Sequence, residues 1–125
     1  MWIGETNIES LLKAFAKFER FRLNTATEQD RAGVIQAFEY CFELSWKMMK
    51  RLLEERGQIA NSPRETFRMA ALEGFIQDPE LWFDFLRKRN LTTDTYQETE
   101  AEKVIEICPS FSNEVKNFLK AIGVS

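Results

Sequence analysis

The chain has 125 residues, 44% of them hydrophobic and 30% charged, which is enough for one domain with a real core and too few for two. Seventeen Lys and Arg against twenty Asp and Glu leave a net charge of −3, which excludes a nucleic-acid binder of the basic-stripe kind but leaves room for local patches. No histidine is present, so Ser-His-Asp and Cys-His catalysis, His-ligated metal sites and imidazole acid–base chemistry are excluded.

The predicted elements are helical throughout. A first helix starts near Asn7, a candidate cap, with Ile8, Leu11, Leu12, Phe15 and Phe18 at helical spacing. Asn24-Thr25-Ala26-Thr27 breaks that pattern. A second helix opens at Thr27 or Glu28, runs to about Arg56 and stops at Gly57. The third has Ser62 as cap, Pro63 at its first position and Glu65 closing a capping box, and it stops at Gly74. Asp78-Pro79 opens a fourth, which carries Leu81, Trp82, Phe85 and Leu86 and ends near Asn90. A fifth starts between Thr92 and Gln97 and ends at Cys108, because Pro109 should block it. A sixth carries Phe111, Val115, Phe118, Leu119 and Ile122 and ends at Gly123. No β-type alternation, repeat or low-complexity stretch competes. The expectation is a single all-α domain over residues 1–125, an up-down bundle of five or six helices.

The second helix has an unusually wide apolar arc. Around the axis through Val34, Phe38, Cys41, Phe42, Ser45, Met49 and Leu52, it spreads to Ile35, Trp46 and Leu53 on one side. On the other it reaches Ala37, Tyr40, Leu44 and Met48. That is about 240° of helix, against about 100° for an ordinary surface helix. Such a helix is either central in its own bundle or buried on a second side by another copy, and homodimerisation is the expectation carried forward.

Cys41 and Cys108 are too few for a four-cysteine zinc site and read as small apolar residues of a reduced cytosolic protein. The five glycines form no phosphate loop or dinucleotide fingerprint, so no cofactor is expected. No apolar run reaches the roughly 20 residues of a membrane span, and the opening Met-Trp-Ile-Gly-Glu is too short and mixed for targeting.

Spacing alone singles out no reactive site. Arg87-Lys88-Arg89 suits the dipole at the end of the fourth helix. Arg64 and Arg68 share a face of the third and could meet carboxylates or a phosphate. Asp94 and Gln97 read as a capping pair for the fifth helix. Tyr96 lies off that helix's Ala101-Val104-Ile105-Cys108 face, as an exposed aromatic or a contact residue. Glu98, Glu100, Glu102 and Glu106 have no Glu-x-x-His partner with which to hold metal.

Three stretches carry a resemblance: Gln36-Ala37-Phe38-Glu39-Tyr40-Cys41-Phe42-Glu43-Leu44-Ser45-Trp46-Lys47; Ser62-Pro63-Arg64-Glu65 with Arg68, Ala70 and Trp82; and Arg89-Asn90-Leu91-Thr92-Thr93-Asp94-Thr95-Tyr96. With their spacing, the chain resembles the small HEPN-fold nucleotidyltransferase substrate-binding proteins from about residue 30 to residue 100. The resemblance implies a dimerising helical bundle whose partner is a minimal nucleotidyltransferase encoded nearby. Many such pairs look like toxin–antitoxin systems. In them the HEPN chain is a metal-independent ribonuclease with an Arg-polar motif, a short spacer and a His. In one subgroup a tyrosine two residues after that His takes AMP from the partner.

Carried onto this chain, the resemblance implies that Arg89 is the motif arginine, Asn90 its polar neighbour and Tyr96 the modifiable tyrosine. Asp94 stands where active members carry histidine. Cleavage through a 2′-hydroxyl needs a proton taken and a proton given, which an imidazole with a pKa of about 6.5 can do at neutral pH. An aspartate with a pKa of about 3.9 stays ionised and donates poorly. It also invites an Arg89–Asp94 ion pair that would blunt the arginine as a phosphate ligand. The leading expectation is therefore a non-catalytic or impaired HEPN subunit that binds a nucleotidyltransferase, with Tyr96 as acceptor or contact. One alternative is a ribonuclease toxin using Arg89, Asn90 and Asp94 on RNA. Another is a nucleotide-binding module presenting a ligand through Arg64, Arg68, Lys88 and Arg89.

Overall fold

The structure, a computed structural model, describes residues 1–94 and 98–124, and of residues 93, 94, 98 and 99 the backbone alone. Among the described residues, five helices follow a short hairpin: β1 (Trp2–Ile3), β2 (Thr6–Asn7), α1 (Glu9–Phe21), α2 (Glu28–Glu55), α3 (Pro63–Leu72), α4 (Pro79–Asp94) and α5 (Glu98–Ala121).

The caps form much as the sequence suggests. Thr27 opens α2 with a reciprocal capping box to Asp30. The Ser62 hydroxyl accepts the Glu65 amide at 3.1 Å, and Pro63 occupies the first turn of α3. Glu65 reaches back one residue further than the motif requires, accepting the Asn61 amide at 3.1 Å. Asn7 accepts the Glu9 amide at 3.0 Å, two residues on. Past α2, Gly57 takes φ 78°, a conformation costly for any residue with a Cβ.

α2 is the axis of the bundle and packs against α1, α3, α4 and α5. Eleven of its residues are buried, Val34, Phe38, Cys41, Phe42, Met49 and Leu53 among them. Most of its wide apolar arc is covered by its own chain, while Tyr40 at one edge stays 59% exposed. Phe111 of α5 closes the core. Its ring meets those of Phe18, Phe38 and Phe85 edge-on at 5.2, 4.9 and 5.2 Å, a favoured aromatic geometry.

Three expectations are corrected. The predicted fifth and sixth helices are one, because α5 runs straight through Pro109. Its core residues Ala101, Val104, Cys108, Phe111, Val115 and Phe118 keep a steady three-four spacing across the proline, so packing holds the two halves in one phase. Pro109 itself is exposed, so solvent can take the carbonyl it leaves unpaired. Second, α4 runs on to Asp94, past the expected end near Asn90, and the expected Asp94–Gln97 capping pair lies outside the described residues. Third, the opening residues form a hairpin. Gly4 at φ 59° makes its two-residue turn, and Glu55 of α2 accepts from the Glu5 amide (2.5 Å) and the Thr6 hydroxyl (2.8 Å).

Candidate functional site

Residues 89–94 of the third motif stretch lie on the last turns of α4, and two carboxylates on α2 hold Arg89 and Thr92 there. Glu39 and Glu43 are one turn apart on the polar strip of α2. Glu43 is a hub. Its Oε2 accepts the Trp46 indole N–H at 3.1 Å and lies 3.4 Å from the Arg89 guanidinium, while its Oε1 lies 3.3 Å from Lys47. Glu39 accepts the Thr92 hydroxyl at 2.8 Å, and the same hydroxyl lies 2.9 Å from the Arg89 carbonyl.

Arg89 is therefore doubly positioned. Its guanidinium lies over the Phe42 ring, 5.7 Å from the centroid, and its charge faces Glu43. It is 26% exposed, so only part of the group meets solvent. A bound phosphate would have to compete with a carboxylate already in place. Asn90, the next residue, is exposed. The side chain of Asp94, the whole of Tyr96 and the expected Arg89–Asp94 pair lie outside the described residues. Arg89 has Glu43 as its described carboxylate.

The other sequence-predicted residues fall into separate groups. Lys88 turns back to Asp84 at 2.9 Å, with Arg87 on the same carboxylate at 3.3 Å. Arg64 and Arg68 are exposed on α3 and lie over the ring of Phe83 at 5.3 and 5.2 Å. The expected set of four ligand-facing cations is thus not one set, since Arg89 faces α2 and Lys88 faces its own helix. Sequence reading missed the roles of Glu39, Glu43 and Thr92. The signal was there: both glutamates lie in the quoted α2 stretch, beside Trp46 and at one-turn spacing.

Neither cysteine offers a nucleophile. Burial pushes the Cys41 thiol up to about 12, against a smaller opposing effect from the Ser45 hydroxyl. Burial likewise raises Cys108 to about 12, and its Sγ lies 3.3 Å from the Val104 carbonyl. Among the described residues no three His, Cys, Asp or Glu side chains converge as a metal set, and no helix is long and apolar enough to cross a membrane. Two grooves of about 280 Å³ lie elsewhere. One lies between the hairpin and the ends of α2 and α5, the other between α1 and α2 around Phe21 and Tyr40.

Residues 6–123 match the family model described as nucleotidyltransferase substrate binding protein like. A relative from Haemophilus influenzae called a probable ribonuclease HepT is 36% identical over 83% of each chain. The crystal structure of a Thermus thermophilus protein superposes with a TM-score of 0.83 at 27% identity, covering 90% of this chain and 98% of that one. A Haemophilus influenzae structure, described as the fold of a substrate-binding domain of a nucleotidyltransferase, gives 0.82 at 28% identity, covering 93% and 98%. A tri-AMPylated HEPN toxin from Shewanella oneidensis, solved in complex with its nucleotidyltransferase antitoxin, shares the fold at 0.72 and 16% identity, covering 94% and 98%.

Proposed function

The chain belongs to the nucleotidyltransferase substrate-binding protein family, and from that premise we propose that it is a catalytically impaired HEPN subunit whose role is to bind a minimal nucleotidyltransferase. The observation that carries this reading is the state of Arg89. It is held by the Glu43 carboxylate in a chain that has no histidine to move a proton beside it. Electrostatic stabilisation of a phosphorane needs an arginine ready for the developing charge. Here that charge is largely answered already.

Tyr96 is the acceptor in this reading. Its phenol oxygen attacks the α-phosphorus of ATP held by the partner. A phosphorus–oxygen bond forms to the tyrosine as the bond to pyrophosphate breaks, and the phenolic proton leaves to a base of the partner. Light scattering on a sizing column, with the chain alone and co-expressed with the neighbouring gene's product, tests the assembly. A stable larger complex is expected, with an added AMP mass on the peptide containing Tyr96 and none in Tyr96→Phe. A chain that ignores its neighbour would end the partner-subunit reading.

A second reading is favoured by the name of the 36%-identical relative, a probable ribonuclease. Under it the chain cleaves RNA with Arg89 and Asn90, and Asp94 acts as a weak base. Growth arrest on expression, relieved by Arg89→Ala, would support that reading over the first. Harmless expression without RNA cleavage would remove it.

A further inference from the structure

The groove of about 280 Å³ between α1 and α2 has aromatic walls. Phe21 and Tyr40 line it and stay 38% and 59% exposed. A second groove of about 260 Å³ continues past Phe21 to Arg20, Asn24 and Gln29, and Gly33 lines both. Gly33 is the one glycine of the five without a positive φ, so its backbone needs no glycine. Packing needs none either, since an added Cβ would rest at an ordinary 3.6 Å from the Phe21 ring. Alanine would suit the helix better, because glycine loses more backbone freedom on folding. What glycine supplies at this position is room in the groove.

The α1 flank of the groove is basic. Lys13, Lys17 and Arg20 follow at i, i+4 and i+7, so they share one side of the helix over about 10 Å. All three are exposed, and among the described residues no carboxylate lies within ion-pair distance of any of them. Arg22, Lys47, Lys50 and Arg56, by contrast, each have one. Lys17 lies instead 5.3 Å from the centre of the Phe21 ring. Asp30, the carboxylate that lines the second groove, accepts the Thr27 amide as part of the α2 cap. In a chain of net charge −3, this row of cations beside exposed aromatics is a local exception.

We propose that this groove docks an acidic amphipathic helix of the nucleotidyltransferase partner. An apolar side chain of that helix sits over Gly33 between Phe21 and Tyr40, and its Asp or Glu side chains run along Lys13, Lys17 and Arg20. Carboxylates at the same i, i+4 and i+7 pitch on a facing helix meet the three cations in step. A compact anion such as a polyphosphate needs donors that converge on it, and these are strung out along an axis. The aromatic walls suit an anchor that leaves water, while cations at the rim steer the encounter. The groove also lies in the right place. Gln36 and Tyr40 line it, and between them in sequence Glu39 accepts the Thr92 hydroxyl of α4. A partner seated here is thus a neighbour of the end of α4, where the third motif stretch begins. The inference rests on the partner-subunit reading and adds where the partner holds on.

The test is interferometry of the full chain against the neighbouring gene's product, with carbodiimide cross-linking of the complex. Carbodiimide joins an amine directly to a carboxylate, so the parent complex should yield peptides linking Lys13 or Lys17 to an Asp or Glu of the partner. Lys17→Glu/Arg20→Glu should bind about tenfold more weakly in about 50 mM salt, with the deficit shrinking as salt rises. Gly33→Leu fills the groove and changes no charge, so it should weaken binding by a factor that salt does not alter. The Lys17/Arg20 positions are exposed, so that variant should keep the parent's circular-dichroism melt and decide the matter even if Gly33→Leu unfolds. A parent chain that binds no partner would end the partner-subunit reading and this inference with it. A parent that binds, with a Lys17/Arg20 variant that binds equally well, would overturn the groove alone. So would an equal loss in Arg64→Glu/Arg68→Glu on α3. Cross-links from Lys13 or Lys17 to a second copy of this chain alone would overturn it too, and make the groove a contact between copies.

Discussion

At the scale of single residues, carboxylates set what the cations here can do. Glu43 serves Arg89, Lys47 and Trp46 at once, and both Glu43 and Arg89 are under a third exposed. Removing its charge in Glu43→Gln should lower stability by about 1 kcal/mol, the scale of a partly buried charged contact, read as a shifted urea midpoint. The same change should strengthen phosphate binding at Arg89 if the carboxylate is what blunts it. Glu19 of α1 pairs with Arg22 at the end of its own helix (2.8 Å) and reaches α5 by accepting the Ser112 hydroxyl (2.6 Å). Burial pulls its carboxyl up, but the bonds from Arg22 and Ser112 together with Arg22 and Lys116 charge outweigh that and hold it below the ordinary 4.5. A depressed carboxyl stabilises the fold above its unfolded value, and the contribution disappears as pH falls through the folded one. Glu19→Gln should therefore cost about 1 kcal/mol at pH 7, with the gap to the parent closing below about pH 4 in denaturant titrations. At this scale the sequence was only partly legible. Arg89 and Asn90 stood out by resemblance, whereas the grip of Glu43 depends on which helix lies opposite, and no spacing within α4 encodes that.

At the scale of elements, the caps of α2 and α3 could be read from Thr27, Asp30, Ser62 and Pro63 because capping is local chemistry. Pro109 could not be read that way, since a proline signals a break locally while the core spacing from Ala101 to Phe118 argues for continuity. The spacing prevailed because six buried side chains outweigh one lost hydrogen bond, which is worth about 1 kcal/mol. Pro109→Ala should restore that bond at an exposed position and raise the thermal midpoint by a few degrees, for a gain of about 1 kcal/mol. A lowered midpoint would mean that α5 needs a bend there to meet α4. The hairpin went unread because two-residue strands are too short to alternate. It depends on Gly4, where an added Cβ would come within 2.5 Å of the Glu55 carboxylate and φ is 59°. Gly4→Ala should cost about 1–2 kcal/mol and speed amide exchange at Thr6 and Ile8 while leaving α2 protected.

At the scale of the whole molecule, α2 accounts for the architecture. A helix apolar over most of its circumference needs covering, and α1, α3, α4 and α5 cover most of that arc. The sequence displayed the need but not the cover, because six short helices would have offered less to pack around it than five with a long α5. The three tryptophans of the bundle sample quite different surroundings. Trp2 is 64% exposed, Trp82 is fully buried among Phe42, Phe67 and Phe85, and Trp46 gives its indole proton to the carboxylate that holds Arg89. The protein thus carries its own optical reporter. With Trp2 and Trp82 as fixed references, a change of emission that vanishes in Trp46→Phe would register, in real time and without a label, the moment an anion draws Arg89 away from Glu43.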